Sequence, residues 1–371
     1  ASAAESMINV FAGEMKNLRF ADIAINNGTK AGTGFGIVST NQGTIENCEF
    51  EKVKLTGYQA SQVGMIGTNT GTITDISLKN IEISVSSTSS YVGGLAGYST
   101  GAISNIMAEG DAVDYTSLDG LPSDTLFTYR IVAPYSEGVG GIVGGTKATL
   151  TDASVKGIYV SGYSYNGGIA GRLAQGVPSG NLTVGESGYP VFVSGKNYTG
   201  GIGSLFSEST RDSAPITNTK VQYTYVSGGG TTAGILGIGS WWTRIDDAMV
   251  YRSYIKGTGS YTMGIIQSGA RVNRALVKES VITGTSYVAG ISNGQSGGIY
   301  YSSVVDSTVE GSGNYIGGIM GNTSAQEGIS QVAVVGCTVQ GTGATSMGVG
   351  GIAGRNEGTG TAASFFVVNN T

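Results

Sequence analysis

Apolar residues in this chain alternate with polar ones over short runs. In "TITDISLKNIEISV", residues 72 to 85, Ile73, Ile76, Leu78, Ile81 and Ile83 fall on one side of an extended backbone. "RVNRALVKESVITG", residues 271 to 284, repeats this with Val272, Ala275, Val277, Ser280 and Ile282. Helical spacing does not persist, whereas period two within short β-branched runs does, so the elements are strands. Between them one phrase keeps returning: "SYVGGLAGYSTGAISN" from residue 90, then "SYNGGIAGRLAQG", "NYTGGIGSLFSES", "SYVAGISNGQSGG", "NYIGGIMGNTSAQ" and "MGVGGIAGRNEGT".

The glycine just before the Ile, Leu or Met of that phrase serves as a ruler. It stands at Gly36, Gly64, Gly94, Gly141, Gly168, Gly201, Gly234, Gly264, Gly290, Gly318 and Gly351, with intervals of 28, 30, 47, 27, 33, 33, 30, 26, 28 and 33 residues. A period near thirty that drifts by a few residues is that of a solenoid with loops of varying length. The predicted fold is therefore all-β: a parallel β-helix of about eleven coils with three short strands each, stacked about 4.8 Å apart. Right-handed coiling is expected by analogy with parallel crossovers. Glycines in file let one strand pass close to its neighbours where a Cβ would crowd, or where a corner needs a positive φ.

Composition agrees. Of 371 residues 64 are Gly and only 5 Pro, 12% are charged and 40% hydrophobic, so small and β-branched residues must do the folding. A formal charge of −5 supplies no basic footprint for nucleic acid, and no apolar run approaches the ~18 residues of a membrane span. With no His, a Ser/His/Asp triad, a His-based zinc site and HExxH are excluded within this chain. No metal or other cofactor is expected. Cys48 and Cys337 take inward positions about nine coils apart, roughly 40 Å, too far to bridge.

Residues 1–13 are expected to cap the first coil, with "AESMINVFAGEM" as a short helix, and residues 14–371 to form a single β-helix domain. The 47-residue interval carries an insertion near 110–138 that should project as a loop, as should a smaller excursion at 174–189. The chain stops at "AASFFVVNNT" in strand-like sequence, so its last coil is expected to meet a neighbouring domain or subunit. A polar column from Asn47 and Asp75 through Asp247 to Arg274, Tyr301 and Gln331 reads as a corner ladder whose short side chains bond the turn backbone.

Candidate chemistry lies where the repeated phrase changes. "SLFSESTRDS", "SWWTRIDDA" and "SGARVNRAL" occupy one turn in successive coils. Trp241 and Trp242 are the only tryptophans and, being adjacent, cannot both point inward. Arg244 and Arg271 each precede the first inward residue of the second strand, which stacks them one coil apart. Two like charges that close call for counter-charges, from Asp212, Asp246 or Glu208, or for an anionic ligand. With Arg211 these residues form a candidate carbohydrate-binding turn, an exposed aromatic beside Arg and carboxylates.

"YVGGLAG…ISN…V" resembles the GLUG repeat of bacterial surface proteins, and "GEMKNLRFADIAI" resembles the opening coils of such regions. Similar repeats form the N-terminal β-helical regions of IgA-specific zinc metallopeptidases and parts of large adhesins. The resemblance spans roughly residues 13 to 368 and carries no peptidase motif. It implies an extracellular or cell-surface, non-catalytic module of adhesin or stalk type, with a glycan or another host- or cell-surface ligand as partner. Two alternatives stand beside it: a polysaccharide lyase or glycoside hydrolase working through carboxylates near the tryptophans, and a subunit of a self-assembling filament.

Overall fold

A computed structural model describes residues 6–28, 31–114, 120, 122–174, 176–206, 214–240, 242–267, 271–293, 297–323, 328–344, 346–356, 362–368 and 370. The chain is a parallel β-solenoid of about eleven turns. One coil shows the plan. Ile66–Asn69 lies on a first face, Thr72–Lys79 on a second, and Glu82–Val85 with Tyr91–Gly93 on a third. Each residue pairs in register with its counterparts in the coils on either side: Ile73 with Ile45 and Ile103, Leu78 with Phe50 and Ala108, Ile83 with Leu55 and Ile131. The inward side chains form one continuous core from Met15 to Cys337.

The faces meet at residues in the left-handed region. On the second face the inward step from Ile73 to Ile76 is three residues because Asp75 between them has φ 56°. That column runs from Asn17 (φ 57°) to Ser364 (φ 62°), mostly Asn and Asp, the side chains that tolerate this conformation best. The expected bonds to the turn backbone are not what the outward side chains make. They bond one another between coils: Asn47 Nδ2 donates to Asn17 Oδ1 at 2.6 Å, and Asn181 Nδ2 to Asp152 Oδ1 at 2.7 Å. A second left-handed column, from Asp22 through Asn80 and Tyr223 to Gly336, turns the chain onto the third face.

The ruler glycines are aligned in file. Gly168 N donates to Gly201 O at 2.8 Å, and Gly201 N to Gly234 O at 3.0 Å. None of the eleven has a positive φ, so close approach is what requires them, except at Gly351 in the last coil, where a Cβ would meet only Val367 at 3.5 Å. A Cβ on Gly64 or Gly168 would lie 2.7 or 2.6 Å from the carbonyl oxygen of Gly93 or Gly201. On their inner side the same glycines touch the far wall: a Cβ on Gly201, Gly234 or Gly290 would lie 2.9, 2.8 or 2.7 Å from a methyl of Val221, Val250 or Val304 on the second face. The glycine turn is thus a wedge that dives into the core, with Leu95 and its equivalents from Ile37 to Ile319 fully buried at its tip. Tyr129, also fully buried, donates its hydroxyl to the Gly141 carbonyl there at 2.7 Å.

A second interior ladder follows the first face. Asn41 Nδ2 donates to Asn69 Oδ1 at 2.7 Å and Asn69 Nδ2 to Ser99 Oγ at 2.9 Å. Each also binds the backbone two residues on, at Gly43, Gly71 and Gly101. Cys48 and Cys337 are buried free thiols.

Three segments depart from expectation. Ile8–Phe11 is a strand paired with Val38–Asn41, not a helix. Within 110–138 the chain re-enters the third face at Tyr129–Gly140 with an irregularity between Ala133 and Glu137, while residues 115–119 and 121 of the expected loop lie outside the described residues. Phe127, at the end of a single 3-10 turn (Asp124–Leu126), lies buried 5.3 Å from Phe192 and 5.8 Å from Tyr159. The outward aromatic column Tyr159, Phe192, Tyr225, Tyr254 needs such a cover. In the 174–189 excursion, Ser179–Val184 is an ordinary second-face strand, with Asn181 in the polar column, and among the described residues the chain reverses at a small Glu186–Tyr189 bridge.

Candidate functional site

The turn after Gly239 is held by its own polar groups. Ser240 N donates to Thr243 Oγ1 at 2.8 Å and Thr243 N to Ser240 O at 3.0 Å. This local ring buries Thr243 and turns Trp242 outward, 43% exposed. Arg244 then opens the strand Arg244–Tyr251, whose next residue, Ile245, enters the core.

Arg244 and Arg271 are direct register partners, as their spacing predicts, and both are exposed. Arg244 Nη2 lies 3.3 Å from Asp246 Oδ2 in its own coil. Arg271 makes no ion pair among the described residues; its guanidinium lies over the Tyr300 ring, 5.1 Å from the centroid. One step along, Arg274 grips Asp247 with two hydrogen bonds of 2.6 and 2.8 Å. These bonds hold the Asp247 carboxyl below the usual range and push the Arg274 guanidinium up. Arg252 pairs with Glu279 at 2.7 Å, with the same consequence for both.

Of the residues singled out in sequence, the structure brings together Trp242, Arg244, Arg271 and Asp246. Trp241, Arg211, Asp212 and Glu208 lie outside the described residues. Beside Arg244 a shallow hollow is lined by Ala174, Leu205, Ala214, Ile216 and Thr243. No group of three or more metal-ligating side chains occurs among the described residues. Among the described residues the surface offers one guanidinium over a tyrosine ring with no ion pair, a second tied to a carboxylate, and an exposed tryptophan.

A second set of side chains was not singled out: the tyrosines three residues before the ruler glycine, at 91, 165, 198, 261, 287 and 315. The sequence did carry its signal, in the "SY" and "NY" that open most of the repeated phrases. No family model, curated protein or solved structure matches the chain.

Proposed function

We propose that this chain is a non-catalytic, rigid solenoid module displayed outside the cell, of adhesin or stalk type, which holds an anionic glycan at the Trp242–Arg244–Arg271 turn. The observation that carries this reading is the pairing of Arg244 with Arg271 in register, with Asp246 the one carboxylate bonded to either among the described residues. An anionic group bridging two adjacent guanidiniums relieves their repulsion and gains bidentate hydrogen bonds. Trp242 beside them supplies a sugar-stacking surface. Resemblance to GLUG repeats supports display at a surface. The stacked coils, about 50 Å long at ~4.8 Å each, supply a stiff support.

A hydrolase reading needs one carboxyl kept protonated near neutral pH. Asp247 is shifted the opposite way, and Asp246 is committed to Arg244. The test is an array of sulfated, uronate and neutral glycans. Binding should favour the anionic ones, weaken with salt, and fall about tenfold or more in Arg244→Ala/Arg271→Ala. Undiminished binding by that variant refutes the site. Release of reducing ends from a bound polysaccharide refutes the non-catalytic reading.

A further inference from the structure

Beyond the arginine pair the next coil presents aromatic rings. Val272 pairs in register with Ile299 and Asn273 with Tyr300, which puts Gly298 one coil beyond Arg271 in the same column. Ile299 and Ser302 are buried, and the two residues between them, Tyr300 and Tyr301, both face outward. Tyr300 lies back along its own strand. A Cβ on Gly298 would stand 2.5 Å from two of its ring carbons and closer still to its hydroxyl oxygen, so only glycine leaves the ring its place against the backbone. From the preceding coil the Arg271 guanidinium lies over the same ring, 5.1 Å from the centroid. Arg271 makes no ion pair among the described residues, so Tyr300 is the group its guanidinium rests on.

Tyr301 follows Asp247 and Arg274 in the left-handed column of the second face. Those two are tied to each other by hydrogen bonds of 2.6 and 2.8 Å. Tyr301 is 62% exposed, and its φ of 51° is a conformation that bulky residues disfavour. Asn and Asp, which fill most of the column, suit that backbone better. A large ring is therefore kept in the open, one coil beyond Arg271, at a corner where a small polar residue would cost less.

We infer that Tyr301 is a further stacking residue of the glycan site and Tyr300 the positioning residue that sets Arg271, so that the ligand is an acidic oligosaccharide laid along the solenoid axis from Trp242 to Tyr301. This rests on the reading of the turn as a site for an anionic glycan. The coils of Trp242 and Tyr301 are two steps apart, about 10 Å at ~4.8 Å per coil, which is longer than one pyranose ring. The guanidiniums in the middle meet carboxylate or sulfate groups, and the rings at the two ends meet the apolar faces of successive sugars. The two carboxylates of the Arg244–Tyr251 strand are each bonded to an arginine, Asp246 to Arg244 and Asp247 to Arg274.

The experiment uses the whole chain and two pairs of probes, galacturonate with trigalacturonate and glucose sulfate with oligomeric dextran sulfate. In the unaltered chain the oligomer of a pair should bind about tenfold tighter than its monomer, or better. Tyr301→Asn, which suits a positive φ, should keep the melting temperature, leave monomer binding as it was and remove the oligomer's advantage; Tyr301→Phe, which keeps the ring, should retain it. Tyr300→Leu should weaken monomer and oligomer alike, by about two- to fivefold, and flatten the salt dependence, while Tyr300→Phe behaves as the unaltered chain. An oligomer advantage that survives Tyr301→Asn, or an affinity and salt dependence untouched by Tyr300→Leu, overturns the inference and leaves the arginine site standing. If neither pair of probes binds, or binding persists in Arg244→Ala/Arg271→Ala, the anionic-glycan reading itself has failed and the inference falls with it.

Discussion

Replacing Gly201 by Ala tests the wedge directly. A Cβ there would sit 2.9 and 3.0 Å from the two methyls of Val221 and closer still to the Gly234 carbonyl oxygen. The carbonyl belongs to a backbone bonded on both sides and cannot retreat without moving the next coil. Overpacking of this kind costs about 1–3 kcal/mol, offset by about 0.4–1 kcal/mol from the stiffer unfolded chain, which leaves a net loss of about 1–2 kcal/mol. Gly32→Ala is the matched control. Nothing lies within 4 Å of its Cβ and its φ is not positive, so only the unfolded-state gain remains, about 0.4–1 kcal/mol of added stability. A long repeat array need not unfold in one step, so denaturant midpoints should be read with hydrogen exchange at Ile202 and Ile235. Adding Val221→Ala to Gly201→Ala should show favourable coupling of about 1 kcal/mol yet only partial rescue, since the carbonyl stays. If Gly201→Ala is as stable as Gly32→Ala, the inward wedge is wrong.

Asn69→Ala removes buried bonds to Asn41, Ser99 and Gly71 and should cost about 2–3 kcal/mol by denaturant unfolding; Asn47→Gly, on the outer ladder, should stay within about 0.5 kcal/mol. Phe127→Ala uncovers Phe192 and should cost about 3 kcal/mol, with limited proteolysis newly cutting between 111 and 128. Acid should destabilise the chain. Arg274, Arg252 and Arg19 hold Asp247, Glu279 and Glu51 below the usual carboxylate range, so their contribution is complete above the unfolded value near pH 4 and is lost as pH falls through the folded value. The melting temperature should therefore be flat from neutral to about pH 5 and fall below about pH 4, less steeply in high salt.

The solenoid was legible because its constraint is backbone-on-backbone contact, which only glycine permits and which recurs once per coil. The same ruler set Arg244 beside Arg271 from spacing alone. The polar column was half legible. Asn and Asp at a corner are expected in the left-handed region, but Arg274, Tyr301 and Gln331 occupy it too, held by the stack and not by their own preference. Asn41 and Asn69 look like solvated turn residues in sequence and are in fact fully buried, since each has a copy one coil away to satisfy it. Polar composition likewise hid the docking of Phe127: its partners Tyr159 and Phe192 are 32 and 65 residues further on.

Stacking also decides which surfaces can bind. Every outward column is a one-dimensional list read along the axis, and the left-handed column of the second face closes on itself: Asn17 with Asn47, Asp152 with Asn181, Asn181 with Asn218, Asp247 with Arg274. A column whose members satisfy one another contributes little attraction to a partner, because its groups would have to be separated first. The exceptions are where like stands on like. Arginine stacks on arginine at 244 and 271, and among the described residues Asp246 is the carboxylate bonded to the pair, through Arg244. Tyrosine stacks on tyrosine at 165 and 198 and again at 261, 287 and 315, with the backbone of Tyr165, Tyr287 and Tyr315 held in the left-handed region. A fold that repeats its scaffold so strictly can vary only what it places on these columns, and both departures from self-pairing offer the same chemistry, aromatic surface beside positive charge.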